Sequence, residues 1–311
     1  MGASGQELSK MLKEAGLSRS ECFLTNVFAL QPESNNIEAL CGPKAAVGKD
    51  YLLPPLRMGK YFLREHLPHL ERLRIELEAV RPNITVALGN VACWALLHAT
   101  SISKIRGAIT EQVLISGLKT LPTYHPASVL RNWAQRPIVL ADLMKVKREA
   151  DFPEIRRPAR TILVDPTLEE IAEWFTRPAS HYSVDIETKL RQIEMIGFAR
   201  SPEDALVVPF VQMHKPERSY WPTLEQELSA RRLVYSALTS PTPKIFQNGM
   251  YDLQYLAREG CYPRACLEDT MLLHHALYPE LPKGLGFLGS VYSNEAAWKL
   301  MRKTEALKKD E

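Results

Sequence analysis

Hydrophobic positions along the first half of the chain switch repeatedly between helical and strand-like spacing. Apolar residues three or four positions apart predict helices, whereas short apolar runs bounded by Pro, Gly or Asn predict buried strands. The resulting elements, in chain order, are a helix at 5–15, a strand at 21–30, a helix at 67–80, a strand at 84–88, a helix to Leu97, a strand or hairpin at 113–121 and a helix at 138–150. This order predicts an α/β unit with a mostly parallel sheet.

The periodicity breaks near residues 151–160, where two prolines and three arginines lie close together. Beyond them, the pattern predicts strands at 161–164, 181–187, 193–199, 205–210 and 244–247 and helices at 166–175, 224–238, 250–259 and 269–277. Three consecutive strands followed by alternating helices and strands indicate a mixed sheet flanked by helices. We therefore expect an α/β protein with two domains, 1–150 and 161–311, joined by a linker at 151–160.

Composition is typical of a soluble globular protein: the 311 residues are 45% hydrophobic and 24% charged. No apolar run approaches the roughly 20 residues that cross a bilayer, and the N-terminus lacks the pattern of a secretory signal. The five cysteines are scattered, which suits a reducing compartment. We expect no membrane association and a cytoplasmic location, in a bacterial cell or a phage-infected host.

Charge is divided unevenly between the two halves. Residues 1–150 contain 19 Lys and Arg against 13 Asp and Glu, a balance of +6, whereas residues 151–311 contain 20 against 23, a balance of −3. A basic half fits contact with phosphate groups. An acidic half suits a site that collects divalent cations.

Two acidic residues stand two positions apart in the strand predicted at 181–187. Alternate residues of a strand face the same side, so Asp185 and Glu187 should project together while Val184 and Ile186 enter the core. Adjacent carboxylates repel each other unless cations neutralise them, and Mg²⁺ prefers such oxygen ligands. The alternative is a surface strand whose polar face happens to carry two acids.

A third carboxylate follows another predicted strand. Asn248 ends that strand, and Asp252 lies four residues later in the first turn of a helix. Asp252 would then join Asp185 and Glu187 in one metal cradle. The alternative is a capping Asn and a solvent-facing acid, both favoured at a helix N-terminus. Asp269 has a similar explanation as the cap of the next helix.

These stretches together resemble known sequence motifs. Asp-x-Glu followed by Ile-x-x-Ile-Gly-Phe spans 185–198, Asn-x-x-x-Asp spans 248–252, and the long stretch 269–290 adds specificity. They resemble the DnaQ-like 3′→5′ exonuclease superfamily, and more closely the proofreading domain of phage-type family A DNA polymerases, over about residues 160–300. The resemblance implies a ribonuclease H-like sheet.

The resemblance also implies two-metal hydrolysis with Mg²⁺ or Mn²⁺. Asp185 would bridge both ions, Glu187 would bind the ion that carries the attacking water, and Asp252 would hold the second ion. The frayed or single-stranded 3′ end of DNA would be positioned by three further residues, Asn248, Phe246 and Tyr251.

The family's third motif, Tyr-x-x-x-Asp or His-x-x-x-x-Asp, has no match after Thr270. The chain is therefore expected to be the front portion of a longer polymerase. A separate polymerase chain is a candidate partner.

Three stretches of the first half carry candidate chemistry. Asn26 lies where the apolar run 23–27 of the predicted strand ends, residues 81–89 form a strand ending in a Gly turn, and His125 follows a strand in the loop 122–128. An amide can read the edge of uracil, and a loop His can stabilise charge on a departing base. The alternatives are a capping Asn and an ordinary loop His.

In this order, the stretches resemble the uracil-DNA glycosylase superfamily over residues 1–148. The resemblance implies that Asn26 reads uracil and that His125 belongs to the His-Pro loop. The loop with the water-activating acid would lie upstream of Met1, so we expect this half to be inactive. The four cysteines of an iron–sulfur cluster are not present, so no such cluster is expected. DNA contact by the basic surface would involve Arg106, Arg131 and Lys145.

Three functions are therefore compatible with the sequence. The leading one is a DNA polymerase fragment with glycosylase-like and exonuclease-like domains. The second is a stand-alone uracil-DNA glycosylase with an appended nuclease domain. The third is a non-enzymatic DNA-binding module.

Overall fold

The structure, a computed structural model, describes residues 2–212, 219–265 and 267–296. The chain forms two compact units, one made of Met1–Arg157 and Glu280–Glu311 and the other of Pro158–Pro279. This division differs from the predicted domains, because the chain returns to the first unit after residue 279. Residues 297–311, which were expected to end the second domain, lie outside the described ranges.

Twelve α-helices are present in the described ranges, and none of them is long and apolar enough to cross a membrane. In chain order they are α1 (Ala3–Glu14), α2 (Lys44–Val47), α3 (Pro68–Val80), α4 (Gly89–Leu97), α5 (Ile102–Ile105), α6 (Pro126–Arg131), α7 (Arg136–Glu149), α8 (Leu168–Thr176), α9 (Leu224–Thr239), α10 (Met250–Arg258), α11 (Thr270–Leu277) and α12 (Leu285–Tyr292).

The same ranges contain eleven β-strands. In chain order they are β1 (Cys41–Gly42), β2 (Tyr61–Phe62), β3 (Thr85–Leu88), β4 (Thr110–Glu111), β5 (Lys119–Thr123), β6 (Thr161–Leu163), β7 (Tyr182–Lys189), β8 (Gln192–Ser201), β9 (Asp204–Pro209), β10 (Lys244–Phe246) and β11 (Leu267–Asp269).

The first unit is built on a three-stranded sheet in the order β3-β5-β4. β3 and β5 run parallel, and β4 pairs antiparallel with β5. Of the strand or hairpin predicted at 113–121, only 119–121 lies in a strand, because residues 112–118 form the loop of the hairpin. A large apolar cluster that includes Phe62, Ala87 and the fully buried Trp94 packs together, and a smaller one joins Ile109, Leu121 and Val146. The unit is thus an α/β arrangement, as the sequence predicts.

The strand predicted at 21–30 does not form. Phe23 and Leu24 are 53% and 45% exposed, and no strand of the described sheets includes them. Instead, the guanidinium of Arg72 on α3 donates hydrogen bonds to the carbonyl oxygens of Asn26 and Val27. The apolar content of the segment therefore does not lead to strand pairing, because its carbonyls are held by a side chain rather than by a neighbouring strand.

The segment 280–296 packs within the first unit through buried polar contacts. The Lys145 ammonium donates to the carbonyl oxygens of Gly107 and Ser290, each at 2.8 Å, and also to that of Ser293. Asn294 donates to Glu149, on the same helix as Lys145. These bonds join α12 to α7 and to the loop before β4.

Two of the three cations expected on the DNA-binding surface belong to this buried network. Arg106 and Lys145 are only 7% and 1% exposed, and Arg106 pairs with the buried carboxylate of Asp142. The prediction that they contact DNA is therefore wrong, because their charges are used inside the fold. Arg131 alone of the three is exposed.

The second unit contains a six-stranded mixed sheet in the order β11-β10-β7-β8-β9-β6. β7 pairs antiparallel with β8 and parallel with β10, and β10 pairs parallel with β11. Helices connect the parallel strands, and buried residues of α8, α9 and α10 pack with those of the sheet in one core. This is the predicted ribonuclease H-like arrangement, with β7 near the centre of the sheet.

Candidate functional site

Residues of β7 alternate between core and solvent as the sequence predicts. Val184 and Ile186 are each 4% exposed, Asp185 is exposed and Glu187 is half-buried. A β-bulge shifts the register with β8 between Glu187 and Thr188. The extra residue is Glu194 on β8, and β7 continues to pair through Lys189, so the bulge lies opposite the step from Glu187 to Thr188.

Asp252 is buried, and its carboxylate reaches β7. It is 3% exposed, and its Oδ1 accepts a hydrogen bond of 3.0 Å from the backbone N–H of Ile186. Burial raises the pKa of Asp252 to about 6, and the charges of Asp185 and Asp269 act in the same direction. The alternative of a solvent-facing first-turn acid is therefore excluded. Asp252 lies within electrostatic range of Asp185.

A tight turn places Asp252 on α10. Asn248 is exposed and has a left-handed backbone with φ of 59°, and Gly249 follows it. A Cβ on Gly249 would lie 2.6 Å from the Cβ of Phe246, so this close approach requires glycine. Asn248 can still contact a substrate because its side chain faces solvent.

Phe246 was predicted to stack on DNA, and this prediction is wrong. The side chain is 3% exposed and belongs to the hydrophobic core of the second unit. Its position in β10 points the ring inward, beneath the turn at Gly249. An aromatic ring in the core cannot reach a nucleotide base.

Tyr251, in contrast, lies partly in solvent beside β7. It is 44% exposed, its hydroxyl shares a hydrogen bond with the hydroxyl of Thr188, and its ring centroid is 5.0 Å from that of Tyr255. The hydroxyl is therefore held next to the residue that follows Glu187. This position is consistent with the predicted contact to DNA.

Asp269 caps α11 as expected, and it also reaches the turn before α10. Its carboxylate accepts hydrogen bonds from the backbone N–H of Met271 at 2.8 Å, of Gly249 at 2.8 Å and of Asn248 at 3.1 Å. The bonds to the turn were not predicted. The parallel pairing of Phe246 with Asp269 across β10 and β11 creates them, and no sequence pattern signals that pairing.

The predicted cluster of three metal-binding carboxylates is not assembled in the structure. Within residues 2–212, 219–265 and 267–296, no three His, Cys, Asp or Glu side chains form a group that could hold a metal ion. The electrostatic pair of Asp185 and Asp252 is present, and Glu187 lies at the bulge. The two carboxylates are ligands of the type that divalent cations prefer. A bound cation would neutralise the buried charge of Asp252 and its repulsion with Asp185.

His125 lies at the carboxyl end of β5, immediately before α6. Its Nδ1 accepts a hydrogen bond of 3.0 Å from the N–H of Ala127, so the ring caps α6 and its Nε2 carries the proton. Burial and the charge of Arg131 lower the pKa of His125. The ring is therefore neutral near pH 7.

Gly89 brings a second strand end against His125. β3 and β5 run parallel and end together, with Leu88 opposite Thr123. Gly89 has φ of +83°, and a Cβ there would lie 2.9 Å from the Cβ of His125. The N-terminus of α4 thus lies beside the His125 loop, at the edge of the sheet where α/β folds bind ligands.

Asn26 is exposed in the coil that Arg72 anchors. In the part of the chain that the structure describes, no hydrogen bond joins it to His125. The structure therefore leaves its predicted reading of uracil as a prediction.

Residues 1–154 match the family model of the uracil DNA glycosylase superfamily. The N-terminal half of the chain is therefore similar to the uracil-DNA glycosylase superfamily. The type-4 uracil-DNA glycosylase of Thermotoga maritima is 28% identical over 156 residues, which are 47% of this chain and 66% of that protein. The predicted resemblance of the first half is confirmed.

A DNA polymerase of Bacillus phage SP01 is 30% identical over 231 residues, which are 64% of this chain and 24% of that protein. This share exceeds either compact unit, so the similarity includes residues of both. The predicted resemblance to a phage DNA polymerase is thus confirmed. The chain spans less than two thirds of the length of either relative.

A solved structure, "Brucella melitensis NrnC with bound Mg2+", has 19% identity and a TM-score of 0.30, over 44% of this chain and 60% of that one. A TM-score of 0.30 does not support a shared fold. The architecture of the second unit rests on its own strand order.

Proposed function

We propose that the second unit is a metal-dependent 3′→5′ exonuclease that removes nucleotides from a single-stranded or frayed 3′ end of DNA. One observation carries the proposal: the buried Asp252 carboxylate is anchored on the N–H of Ile186 and lies within electrostatic range of Asp185. Asp185 lies on the same strand as Ile186, so two acids 67 positions apart in the sequence influence each other there, which supports the proposal.

Mg²⁺ or Mn²⁺, when bound, would lower the pKa of a water and stabilise the charge on the attacked phosphate. Asp185 and Asp252 would hold the cation, with Asp185 on the exposed side and Asp252 on the buried side. Glu187 would orient the attacking water from the bulge beside them. Both carboxylates would thus supply negative charge that a divalent cation neutralises.

Substrate contacts would come from two exposed residues around α10. Asn248 offers an amide to the terminal sugar or base, and Tyr251 offers a ring whose hydroxyl is held by Thr188. Stacking of a base on an aromatic ring contributes about 1–3 kcal/mol and tolerates any sequence. We therefore propose little sequence preference.

Similarity to a phage DNA polymerase supports a role in DNA replication or repair. We propose that the exonuclease-like domain begins near residue 161, after the glycosylase-like domain of residues 1–150, and that the domain edits ends made by a polymerase. A separate polymerase chain is the proposed partner.

Uracil excision by the first unit is a second candidate, favoured by the family match and by His125 at the joint ends of β3 and β5. The neutral ring, with the proton on Nε2, could donate to a developing charge on a uracil oxygen. Asn26 would read the base. A third candidate is DNA binding without catalysis.

One experiment separates these candidates. The purified chain is incubated with Mg²⁺ or Mn²⁺ and two 5′-labelled single-stranded DNAs, one of which contains uracil. We expect a ladder of 3′-shortened products from both DNAs. Asp252→Asn and Asp185→Asn should each lower the rate at least about 100-fold, because each removes a ligand charge at the reacting phosphate.

Glu203→Gln, in the exposed hairpin between β8 and β9, is the matched control and should degrade DNA at the wild-type rate. If alkali treatment reveals strand cleavage only at uracil, and His125→Ala loses that cleavage, the glycosylase proposal replaces the nuclease proposal. DNA binding with neither product would favour the non-enzymatic module.

A further inference from the structure

The turn between β10 and α10 is held by a side chain from outside it. Asp269 ends β11, and its two carboxylate oxygens divide between two tasks. Oδ1 accepts from Met271 at 2.8 Å and from Asn248 at 3.1 Å, and Oδ2 accepts from Gly249 at 2.8 Å. One carboxylate therefore caps α11 and also binds two successive N–H groups of the turn.

This turn has a backbone conformation that few residues adopt. Asn248 is left-handed, a conformation that only Asn and Asp among residues with a Cβ adopt at all readily. Gly249 lies directly against Phe246, where no side chain fits. The hydroxyl of Thr270 adds a bond of 3.3 Å to the carbonyl oxygen of Phe246. Asp269 and Thr270 thus hold the turn and the end of β10 by three hydrogen bonds.

The conformation of this turn determines where Asp252 lies. α10 begins at Met250, immediately after Gly249, so the direction of its first turn follows from the conformation of 248–249. Asp252 must reach the N–H of Ile186 on the neighbouring strand from that first turn. A shift of the helix start by even about 1 Å would misplace the carboxylate, and such shifts cost catalytic sites about 100-fold.

We infer that Asp269 is a positioning residue for the carboxylate site, because its hydrogen bonds to Asn248 and Gly249 fix the turn that sets Asp252 against β7. Both oxygens of Asp269 accept hydrogen bonds from backbone N–H groups, so Asp269 acts on the site through the turn. The inference depends on the proposed function only in assuming that the carboxylate site binds a divalent cation.

Two substitutions separate positioning from helix capping. Asp269→Ser keeps a good cap for α11, but its single, shorter hydroxyl cannot also reach the turn. Asp269→Asn keeps the cap and the bond to Asn248, but it places an NH₂ group opposite the N–H of Gly249. Thr223→Ala, which removes the cap of α9, is the matched control for the loss of a cap elsewhere in the unit.

The first readout uses the full chain without metal. Amide hydrogen exchange is measured by NMR at Asn248, Gly249 and Ile186. We expect Asp269→Ser to accelerate exchange at all three amides at least tenfold, and Asp269→Asn to accelerate it mainly at Gly249. Thr223→Ala should leave the three rates unchanged.

The second readout is the affinity for Mn²⁺, measured by titration calorimetry. We expect Asp269→Ser to weaken binding about 10–100-fold, as residues that orient metal ligands do, while Thr223→Ala binds as the wild type does. Wild-type exchange and affinity in Asp269→Ser would overturn the inference. If the wild-type chain binds no Mn²⁺, the exonuclease proposal fails, and the exchange rates alone decide the role of Asp269.

Discussion

Asp252 is the side chain of the candidate site whose pKa is most clearly changed by its surroundings. Its carboxylate is buried, anchored by one backbone N–H, and faces the charges of Asp185 and Asp269. Ionising such a group in the native state is unfavourable, because burial removes water and the neighbouring acids repel the charge. The same features make the site receptive to a divalent cation.

The raised pKa of Asp252 predicts how stability depends on pH without metal. With a native pKa of about 6 and an ordinary value of 3.8, Asp252 contributes full stability below about pH 4 and loses it as pH rises through 6. The loss is at most about 3 kcal/mol, at about 1.4 kcal/mol per pKa unit. The free energy of unfolding of Asp252→Asn should therefore rise relative to that of the wild type between pH 4 and 7.

Urea unfolding in EDTA at several pH values measures this difference. Glu203→Gln, an exposed acid, should follow the wild-type profile throughout. Parallel profiles for Asp252→Asn and the wild type would mean that Asp252 is not the group that titrates near pH 6.

Two turns between a strand and a helix place polar side chains at the carboxyl ends of parallel strands. In the first unit, Gly89 starts α4 beside His125, and in the second, Asn248 and Gly249 precede α10. In both turns, glycine permits a close approach that any Cβ would obstruct. The elements thus bring candidate site residues together through their turns rather than through their regular parts.

Gly89→Ala should destabilise the first unit more than the loss of a glycine alone does. A Cβ at Gly89 would lie 2.9 Å from the Cβ of His125, whereas Gly117, also at φ of +83°, has nothing within 4 Å. Gly117→Ala should thus cost only the backbone strain, about 1–2 kcal/mol. Gly89→Ala should cost about 1–3 kcal/mol more, the usual cost of overpacking.

Denaturant unfolding of the two alanine variants compares them directly. Equal losses of stability would show that His125 does not press against the start of α4. A larger loss for Gly89→Ala would support the placement of His125 at the joint ends of β3 and β5.

At the scale of the molecule, the chain leaves the first unit after Arg157 and returns to it at Glu280. Lys145 donates to two carbonyl oxygens of the returning segment, those of Ser290 and Ser293, and Arg157 donates to the carbonyl oxygen of Asn294 at 2.7 Å. The first unit is therefore completed by residues far from it in sequence. Its stability should depend on α12.

Lys145→Met should release α12, because it leaves the carbonyls of Gly107, Ser290 and Ser293 without their buried donor. Each unsatisfied group costs about 1–3 kcal/mol, so a loss of about 3 kcal/mol or more is expected. The measurements are urea unfolding and the rate of proteolysis within 280–296. Lys147→Met, on the exposed side of α7, is the control, and equal behaviour of the two variants would contradict the prediction.

The sequence alone determined the periodic elements, the mixed sheet of the second unit and the alternation of β7. These are local properties, because the spacing of apolar residues fixes which face of a helix or strand is buried. Short motifs also single out Asp185 and Asp252 as candidate site residues. Both resemblances were carried by runs of neighbouring residues.

Only the tertiary structure decided matters that depend on distant residues. It buried Phe246, Arg106 and Lys145, left the apolar segment 21–30 outside any sheet, and returned α12 to the first unit. It also placed a bulge of β8 opposite Glu187 and joined Asp269 to the turn before α10. Burial and pairing are set by partners far along the chain, so local spacing could not determine them.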